Sequence, residues 1–338
     1  MKIIGIQQKF LDLANQKLSP NLSLVDEIAD SLNISRDSAY RRLRCETTLT
    51  FDEISVLCNK FEISLDTLLH IDRNLVTFNY RAIGVENFTF EKYLESILDN
   101  LETINQFEIK ELIYAAKDVP IFHDFVYPEL SSFKIFFWLK TILSHPDYQN
   151  RTFDWEVIPD SMITLGQSIW EKYMITPSLE IWTEGTVNIT LNQVSFYYDS
   201  GVLTKTQSLR LLDVYQDLIN HIKSEAELGR KFYKDKDTHA PDNYKIYYNE
   251  LLIPDNTVFF TMGDTKITYV TYNLLNVLTT SNIDFCNQTD DYLNNMIKKS
   301  TLVSKVAEKE RNKLFNMMRG RIEKLKEKID SSVESYYA

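Results

Sequence analysis

The sequence predicts a mainly α-helical protein of two domains. Only 8 of its 338 residues are glycine and only 8 are proline, against an ordinary usage of roughly 7% and 5%, so few tight turns interrupt the chain. Hydrophobic residues make up 44% of the chain, which is enough for a large core. At roughly 100–200 residues per domain, we expect a helical module over residues 1–72 and a larger helical domain over residues 73–338.

The composition argues against several classes of enzyme. No two glycines lie within ten residues of each other, whereas a Walker A loop and a dinucleotide-binding fingerprint need closely spaced glycines. The 3 cysteines form no C-x-x-C pair and the 5 histidines are scattered, which argues against a zinc site or a disulfide framework. No Ser/His/Asp or paired-carboxylate arrangement is legible. We therefore expect a protein that is not an enzyme and has no catalytic, cofactor-binding or metal-binding residues.

Nothing in the sequence predicts export or membrane insertion. The N terminus lacks the long apolar run of a signal peptide. The most apolar segment, Phe133 to Leu143, is shorter than a membrane span of ~20 residues and contains Lys134 and Lys140. The odd number of cysteines fits a reducing compartment. We expect a cytoplasmic protein with no membrane partner.

Residues 1–72 are predicted to form five short helices. Apolar residues recur at helical spacing in them. Four of the helices follow a residue suited to capping a helix N terminus, and these caps are Ser23, Ser35, Thr50 and Ser64. Thr50 is followed three residues later by Glu53, the pattern of a capping box. The last of the five helices is expected to end at Leu69.

Two of these helices carry the pattern of a helix-turn-helix. The first ends near Asn33-Ile34, and an arginine-rich helix begins after Ser35. Small residues at Ala29 and Ala39 allow the two helices to cross closely. With S-R-D-S-A-Y-R-R at residues 35–42, the chain resembles the phage-repressor (Cro/C1-like) helix-turn-helix regulators, and among them the BetR-like proteins, over about residues 20–70.

The sequence departs from this family at three positions. Arg42 stands where the family often has a buried aliphatic residue, a role that Leu43 takes one residue later. At the other two positions the family commonly has glycine. Asn33 stands in the turn, and Cys45 follows the arginine-rich helix. Asparagine tolerates a left-handed backbone better than most residues do. We expect the motif to persist with these three departures.

The resemblance implies that about residues 35–44 form a recognition helix, which enters the major groove of double-stranded DNA. An arginine offers a forked donor to guanine, and serine hydroxyls at a helix N terminus suit phosphate. Arg42 and Arg44 are expected to contact phosphate, and Asp37 to accept from cytosine or to favour the positive helix end. The predicted DNA-binding residues are Ser35, Arg36, Asp37, Ser38, Tyr40, Arg41, Arg42 and Arg44.

Charge leaves two functional alternatives open. Residues 1–72 carry 8 basic and 11 acidic side chains, but residues 35–44 carry four arginines against one aspartate, and the local potential matters more at a contact. A sequence-specific transcriptional regulator is the favoured interpretation. The alternative is a protein-interaction module, antitoxin-like or a defence-system partner, with a vestigial helix-turn-helix. If DNA is the partner, Arg36, Arg41 and Arg44 should lie on one exposed face.

The middle of the chain is predicted to be helical and to hold no site. Residues 186–198 have helical spacing despite their β-branched residues, with a strand as the alternative. Asp118, His123 and Asp124 lie close in sequence, but we interpret them as a helix-entry residue and core residues. The many aromatic residues of this region are interpreted as core, with a small-molecule pocket as the alternative.

The C-terminal part is predicted to contain a small antiparallel β-sheet at about 244–272 and a long basic helix after it. Turns are expected at 254–256 and at Gly263-Asp264. The helix from about 308 to 330 carries an apolar seam at a 3-4-3-4 spacing, formed by Phe315, Met318, Ile322, Leu325 and Ile329. This seam packs either on the chain's own core or on a partner. Because one helix-turn-helix contacts too little DNA for tight binding, we expect a homodimer built by residues 73–338, which leaves open an effector that is a small molecule or a protein.

Overall fold

The computed structural model describes residues 5–18, 22–65, 76–80, 89–233, 242–251, 253–273 and 276–332. The chain divides into two compact units. The smaller unit comprises residues 1–79 with 280–285, and the larger unit comprises residues 80–279 with 286–338. The predicted helix that ends at Leu69 lies outside the described residues after Leu65.

The smaller unit contains four described helices where the sequence predicts them. They are α1 (Ile6–Gln16), α2 (Leu24–Leu32), α3 (Arg36–Leu43) and α4 (Phe51–Phe61). Thr50 and Glu53 form the predicted capping box before α4, whereas Ser23 precedes α2 without a side-chain cap hydrogen bond. The apolar side chains that meet between the helices include Phe10, Leu11, Ala14, Ile28, Ala39, Leu57 and Phe61.

The remaining described elements are both helices and strands. The helices are α5 (Phe90–Asn105), α6 (Ile121–Asp124), α7 (Pro128–Phe137), α8 (Pro146–Gln149), α9 (Asp160–Ile175), α10 (Asn188–Asp199), α11 (Lys205–Leu228), α12 (Ile283–Lys298) and α13 (Glu308–Ser331), with a π-helical turn at Trp138–Ile142. The strands are β1 (Asn79–Tyr80), β2 (Lys110–Ala116), β3 (Ser178–Trp182), β4 (Tyr244–Tyr248), β5 (Thr257–Met262), β6 (Thr265–Asn273), β7 (Asn276–Thr280) and β8 (Thr301–Leu302). Residues 188–199 are helical, as predicted.

The strands form one eight-stranded mixed sheet in the order β1-β7-β6-β5-β2-β3-β4-β8. Its centre is parallel: Leu112 of β2 lies opposite Ser178 of β3, which lies opposite Tyr244 of β4. β5 pairs antiparallel with β2 and with β6, and β8 pairs antiparallel with β4. The fold is therefore mixed α/β. The prediction of a mainly α protein with a small antiparallel sheet at about 244–272 is wrong.

The error arises because β2 and β3 are buried strands in which apolar and polar residues do not alternate. From Leu112 to Ala116 every residue is buried, and so is every residue of β3. A short apolar run of this kind has the same periodicity in a buried strand and in a buried helix. The predicted turn at 254–256 therefore does not join neighbouring strands, because β2 and β3 lie between β4 and β5. The turn at Gly263-Asp264 does join β5 to β6, and Gly263 has a φ of 56°.

The sheet buries apolar side chains on both faces, because successive residues of a strand point to opposite sides. On one face Leu112, Tyr114 and Trp182 pack into the main core, to which α5, α7, α9, α11 and α13 contribute. On the other face Ile113 and Ile181 pack against side chains of α12. The larger unit is thus built as helices on both sides of a sheet.

The seam of the C-terminal helix packs on the chain's own core. Phe315, Met318, Ile322 and Ile329 are buried within the larger unit, and Leu325 is half-buried against the same core. Lys326 of α13 binds Asp213 of α11 with an Nζ–Oδ1 distance of 2.9 Å. The sequence leaves open whether this seam packs on the chain's own core or on a partner. In the structure the seam packs on the chain's own core.

Candidate functional site

The turn between α2 and α3 has the local geometry that a helix-turn-helix needs. Asn33 ends α2 in the left-handed conformation, with φ 50° and ψ 49°. Ser35 then caps α3, because its hydroxyl oxygen accepts a hydrogen bond from the Ser38 N–H at 3.3 Å. Ala39 is completely buried, and Ala29 of α2 is buried as well. Cys45 also has a positive φ, 56°, so both positions where the family commonly has glycine adopt the backbone that glycine favours.

One side of α3 is exposed and carries most of the predicted contact residues. At 100° per residue, the exposed positions fall within an arc of about 140°. These positions are Arg36, Asp37, Tyr40, Arg41 and Arg44. Tyr40 is 47% exposed although it is a large side chain. The three arginines thus share one exposed side, which is the arrangement that a DNA contact requires.

Arg36 is held by an acidic side chain of α2. Its Nε lies 2.6 Å from Asp26 Oδ1, and its Nη2 donates to Asp26 Oδ2 at 2.9 Å. Both side chains are exposed, at 69% and 43%, so solvent screening keeps the pair weak, roughly 0–1 kcal/mol. Asp26 therefore orients the Arg36 fork in the free protein without preventing its transfer to another acceptor.

Arg42 faces the interior of the smaller unit. Its Nη2 donates to Glu53 Oε1 at 2.6 Å and its Nε to Glu53 Oε2 at 3.2 Å, while its Nη1 donates to the Ser38 carbonyl. The hydrogen bond from Arg42 lowers the pKa of Glu53, although partial burial works in the opposite direction. The expectation that Arg42 contacts phosphate does not fit this placement, because its fork already joins α3 to α4.

The other predicted contact residues remain accessible. Arg44 follows the last turn of α3, and its Nη1 lies 3.6 Å from Glu46 Oε1. Arg41 forms no ion pair within the described parts of the chain. At the helix start the Ser35 hydroxyl donates to Ser38 Oγ at 3.0 Å, so the two serines present one hydroxyl pair beside the positive helix end.

A second candidate site, which the sequence analysis did not identify, lies inside the larger unit. Asp118 and Asp124 converge on Lys134, whose Nζ is 3.5 Å from each carboxylate, beside a cavity of about 180 Å³. The sequence signal for this site was a lysine in the most apolar run of the chain, since a buried lysine needs acidic partners. His123 binds Glu180, with Nε2 and Oε1 2.8 Å apart.

Glu180 is the centre of a buried polar network that holds β3 to its neighbours. Besides His123, it accepts hydrogen bonds from Trp182 Nε1 at 2.7 Å, from the Tyr244 hydroxyl at 2.9 Å, and from the Tyr173 hydroxyl. Burial works to raise the pKa of Glu180, but the His123 ring, the Tyr173 hydroxyl and the Lys231 charge outweigh it and hold the pKa below its usual value. This network satisfies a buried charge and lies away from the cavity lining.

No protein-family model, curated protein or solved structure matches the chain. Along the parts of the chain that the structure describes, no helix combines the length and apolarity needed to cross a membrane. Within the same parts, no three His, Cys, Asp or Glu side chains gather as a metal site. The geometry of the two candidate sites is therefore the basis for any functional proposal.

Proposed function

We propose that the protein is a sequence-specific, DNA-binding transcriptional regulator whose helix α3 lies in the major groove. The observation that carries this proposal is the exposed side of α3, where Arg36, Arg41 and Arg44 project from one short helix. That helix begins at a side-chain cap and packs closely on α2 through Ala39, the arrangement by which helix-turn-helix proteins present a recognition helix.

The residues of α3 divide into two roles by position. Arg36 and Arg41 lie at the two edges of the exposed arc, and we assign to each the reading of guanine O6 and N7 by its forked guanidinium. Arg44 and the Ser35–Ser38 hydroxyl pair lie at the two ends of the helix, where groove geometry brings the phosphates. Base contacts supply specificity and phosphate contacts supply position, so both sets are needed.

The regulator is proposed to act as a homodimer on a palindromic site. A single helix-turn-helix buries too little surface for tight, specific binding, and two copies roughly double the contact free energy. The dimer would be built by residues 73–338, and an effector that is a small molecule or a protein would act there. A reducing cytoplasm suits the chain because Cys45, Cys58 and Cys286 form no disulfide.

A second candidate function is a protein-interaction module, antitoxin-like or a defence-system partner. It is favoured by apolar side chains on the surface of α4, where Phe51 is 77% exposed and Val56 is 44% exposed. Asp26, beside Arg36, also adds acidic charge next to the proposed contact surface. We rank it second because these apolar residues lie on α4 and leave the arginine side of α3 unexplained.

Selection of binding sites from random double-stranded DNA tests the proposal. The full-length protein is expected to enrich one sequence motif with two-fold symmetry over several rounds. A pool that remains random after selection at low salt, where phosphate contacts are strongest, would overturn DNA reading and favour the protein-interaction module.

A further inference from the structure

Six aromatic rings line the cavity in the larger unit, together with aliphatic and polar side chains. It lies between α5, the central strands and the strands β5 and β6, and its volume is about 180 Å³. The rings on its wall are those of Tyr93, Tyr114, Phe122, Trp138, Phe260 and Tyr269. An apolar cavity of about 150 Å³ holds a benzene molecule, so this cavity has room for a ligand with one ring or a short alkyl chain.

With both carboxyls ionised, the polar end of the cavity carries one more negative charge than positive charge. Asp118 and Asp124 share a single ammonium group, that of Lys134, which also donates to Thr190 Oγ1 at 3.0 Å and to Gln193 Oε1 at 3.2 Å. The neighbouring His123 is hydrogen-bonded to Glu180, although its ring also works to lower the pKa of Asp124.

Asp124 is incompletely satisfied although it is buried. Its side chain is 2% exposed and it lines the cavity. Its Oδ2 faces Lys134, whereas its Oδ1 accepts no hydrogen bond within the described residues. Asp118 differs, because its Oδ1 accepts a hydrogen bond from the Val119 N–H at 2.9 Å. A buried carboxylate oxygen without a donor is costly, so the site lacks one donor.

We propose that this cavity is a binding site for a small apolar molecule that carries one protonated amine. The ammonium group would donate to Asp124 Oδ1 and supply the missing positive charge. The aromatic wall would take the apolar body, and the faces of such rings attract a cation. A neutral ligand of the same shape would leave the charge uncompensated, and an anionic ligand would add to it.

The inference goes beyond DNA binding and is tested without DNA. Isothermal titration of the full-length protein at pH 8 compares three probes of similar size: 2-phenylethylamine, 2-phenylethanol and 3-phenylpropanoate. The amine is expected to bind at least about tenfold more tightly than the alcohol, as for a hydrogen bond between charged groups, and the carboxylate is expected to give no signal.

Two variants locate the binding site, and a third is the control. Asp124→Asn should reduce the preference for the amine over the alcohol to about twofold or less. Asp255→Asn makes the same change at an exposed carboxylate of the same unit and should leave the preference intact. Val277→Phe, at a lining residue that is 37% exposed, should weaken the amine and the alcohol alike and decides the matter if Asp124→Asn does not fold.

Four results would overturn the inference. The first is equal affinity for the amine and the alcohol, and the second is no binding of 2-phenylethylamine at millimolar concentration. The third is a preference for the amine that Asp124→Asn leaves unchanged. The fourth is binding that Val277→Phe does not weaken. Since none of these titrations contains DNA, each outcome is independent of the binding-site selection.

Discussion

Arg41 and Arg42 are neighbours in the sequence but lie in different surroundings. Arg41 is exposed, whereas Arg42 joins α3 to α4 through Glu53. Consecutive residues of a helix point 100° apart, so counting the arginines of residues 35–44 could not separate the two. Glu53 was a sequence signal for the role of Arg42. As a capping-box glutamate it lies at the start of α4, where it can accept hydrogen bonds from Arg42 as well as from the Thr50 N–H. The exposed part of the candidate interface was predictable from sequence, and the role of Arg42 was not.

Arg42→Ala is expected to lower stability, whereas Arg44→Ala is expected to affect DNA binding. Arg42→Ala removes the partner of a half-buried carboxylate, so it should lower the free energy of unfolding by ~1–3 kcal/mol. Arg44→Ala removes an exposed side chain, so it should change stability by less than ~0.5 kcal/mol and reduce the salt dependence of DNA binding by about one unit of slope. Denaturation and affinity measured over a range of salt check both. Equal stability of the two variants would contradict the placement of Arg42.

Asp124 predicts a pH dependence of stability. Burial, with Asp118 adding to it and Lys134 opposing it, raises the pKa of Asp124 to about 7. An unfolded aspartate has a pKa of ~3.9. Between about pH 4 and pH 7 the folded protein therefore holds a proton that the unfolded chain has released, and stability falls as pH rises.

Asp124→Asn should remove this fall in stability with rising pH, because an amide does not titrate. The variant is expected to gain stability relative to the parent from about pH 4 to pH 7 and to keep a constant difference above that range. The other groups around Asp124 remain in both proteins, so their contributions largely cancel; they are Asp118, His123, Lys134 and the phenols of Tyr114 and Tyr215. Urea unfolding at several pH values measures the difference, and a difference independent of pH would refute the assignment.

At the scale of elements, helices with caps and amphipathic spacing were predictable and buried strands were not. The helices α2, α3 and α4 begin where the caps place them, and α2 ends at the predicted turn. β2 and β3 gain their identity only from pairing with strands that are distant in sequence, such as β5. When both faces of a strand are buried, its local sequence does not indicate which strands it pairs with. The same cause hid the cavity, whose wall depends on β2 and β5.

Two helical glycines provide a matched pair for testing the packing. A Cβ on Gly166 of α9 would lie 2.6 Å from the Phe125 ring, whereas a Cβ on Gly320 of α13 meets nothing within 4 Å. Gly166→Ala should overpack the core and lower stability by ~1–3 kcal/mol, less what alanine returns to the helix. Gly320→Ala should raise stability by ~0.5–1 kcal/mol. Thermal unfolding compares the two, and a gain from both would show that α9 does not approach α6 this closely.

For the whole molecule, the buried seam of α13 means that the proposed homodimer uses another surface. Ile322 is fully buried in the larger unit, so Ile322→Asp should destabilise that unit strongly by burying an unpaired charge. Lys324→Asp places the same residue on an exposed position of the same helix and should change stability by less than ~0.5 kcal/mol. Light scattering and denaturation are the measurements. An Ile322→Asp variant that is a monomer as stable as the parent would instead identify the seam as the interface.

The central claim is that the exposed side of α3 reads DNA sequence. The most direct test is the ratio of affinities for the selected duplex and for a scrambled duplex of the same composition. Arg36→Ala/Arg41→Ala should lower this ratio by at least about thirtyfold, because each arginine contributes ~1–3 kcal/mol of discrimination. Lys324→Ala/Lys328→Ala, which removes two charges from the exposed side of α13, should leave the ratio unchanged. A ratio that survives the loss of Arg36 and Arg41 would contradict the claim.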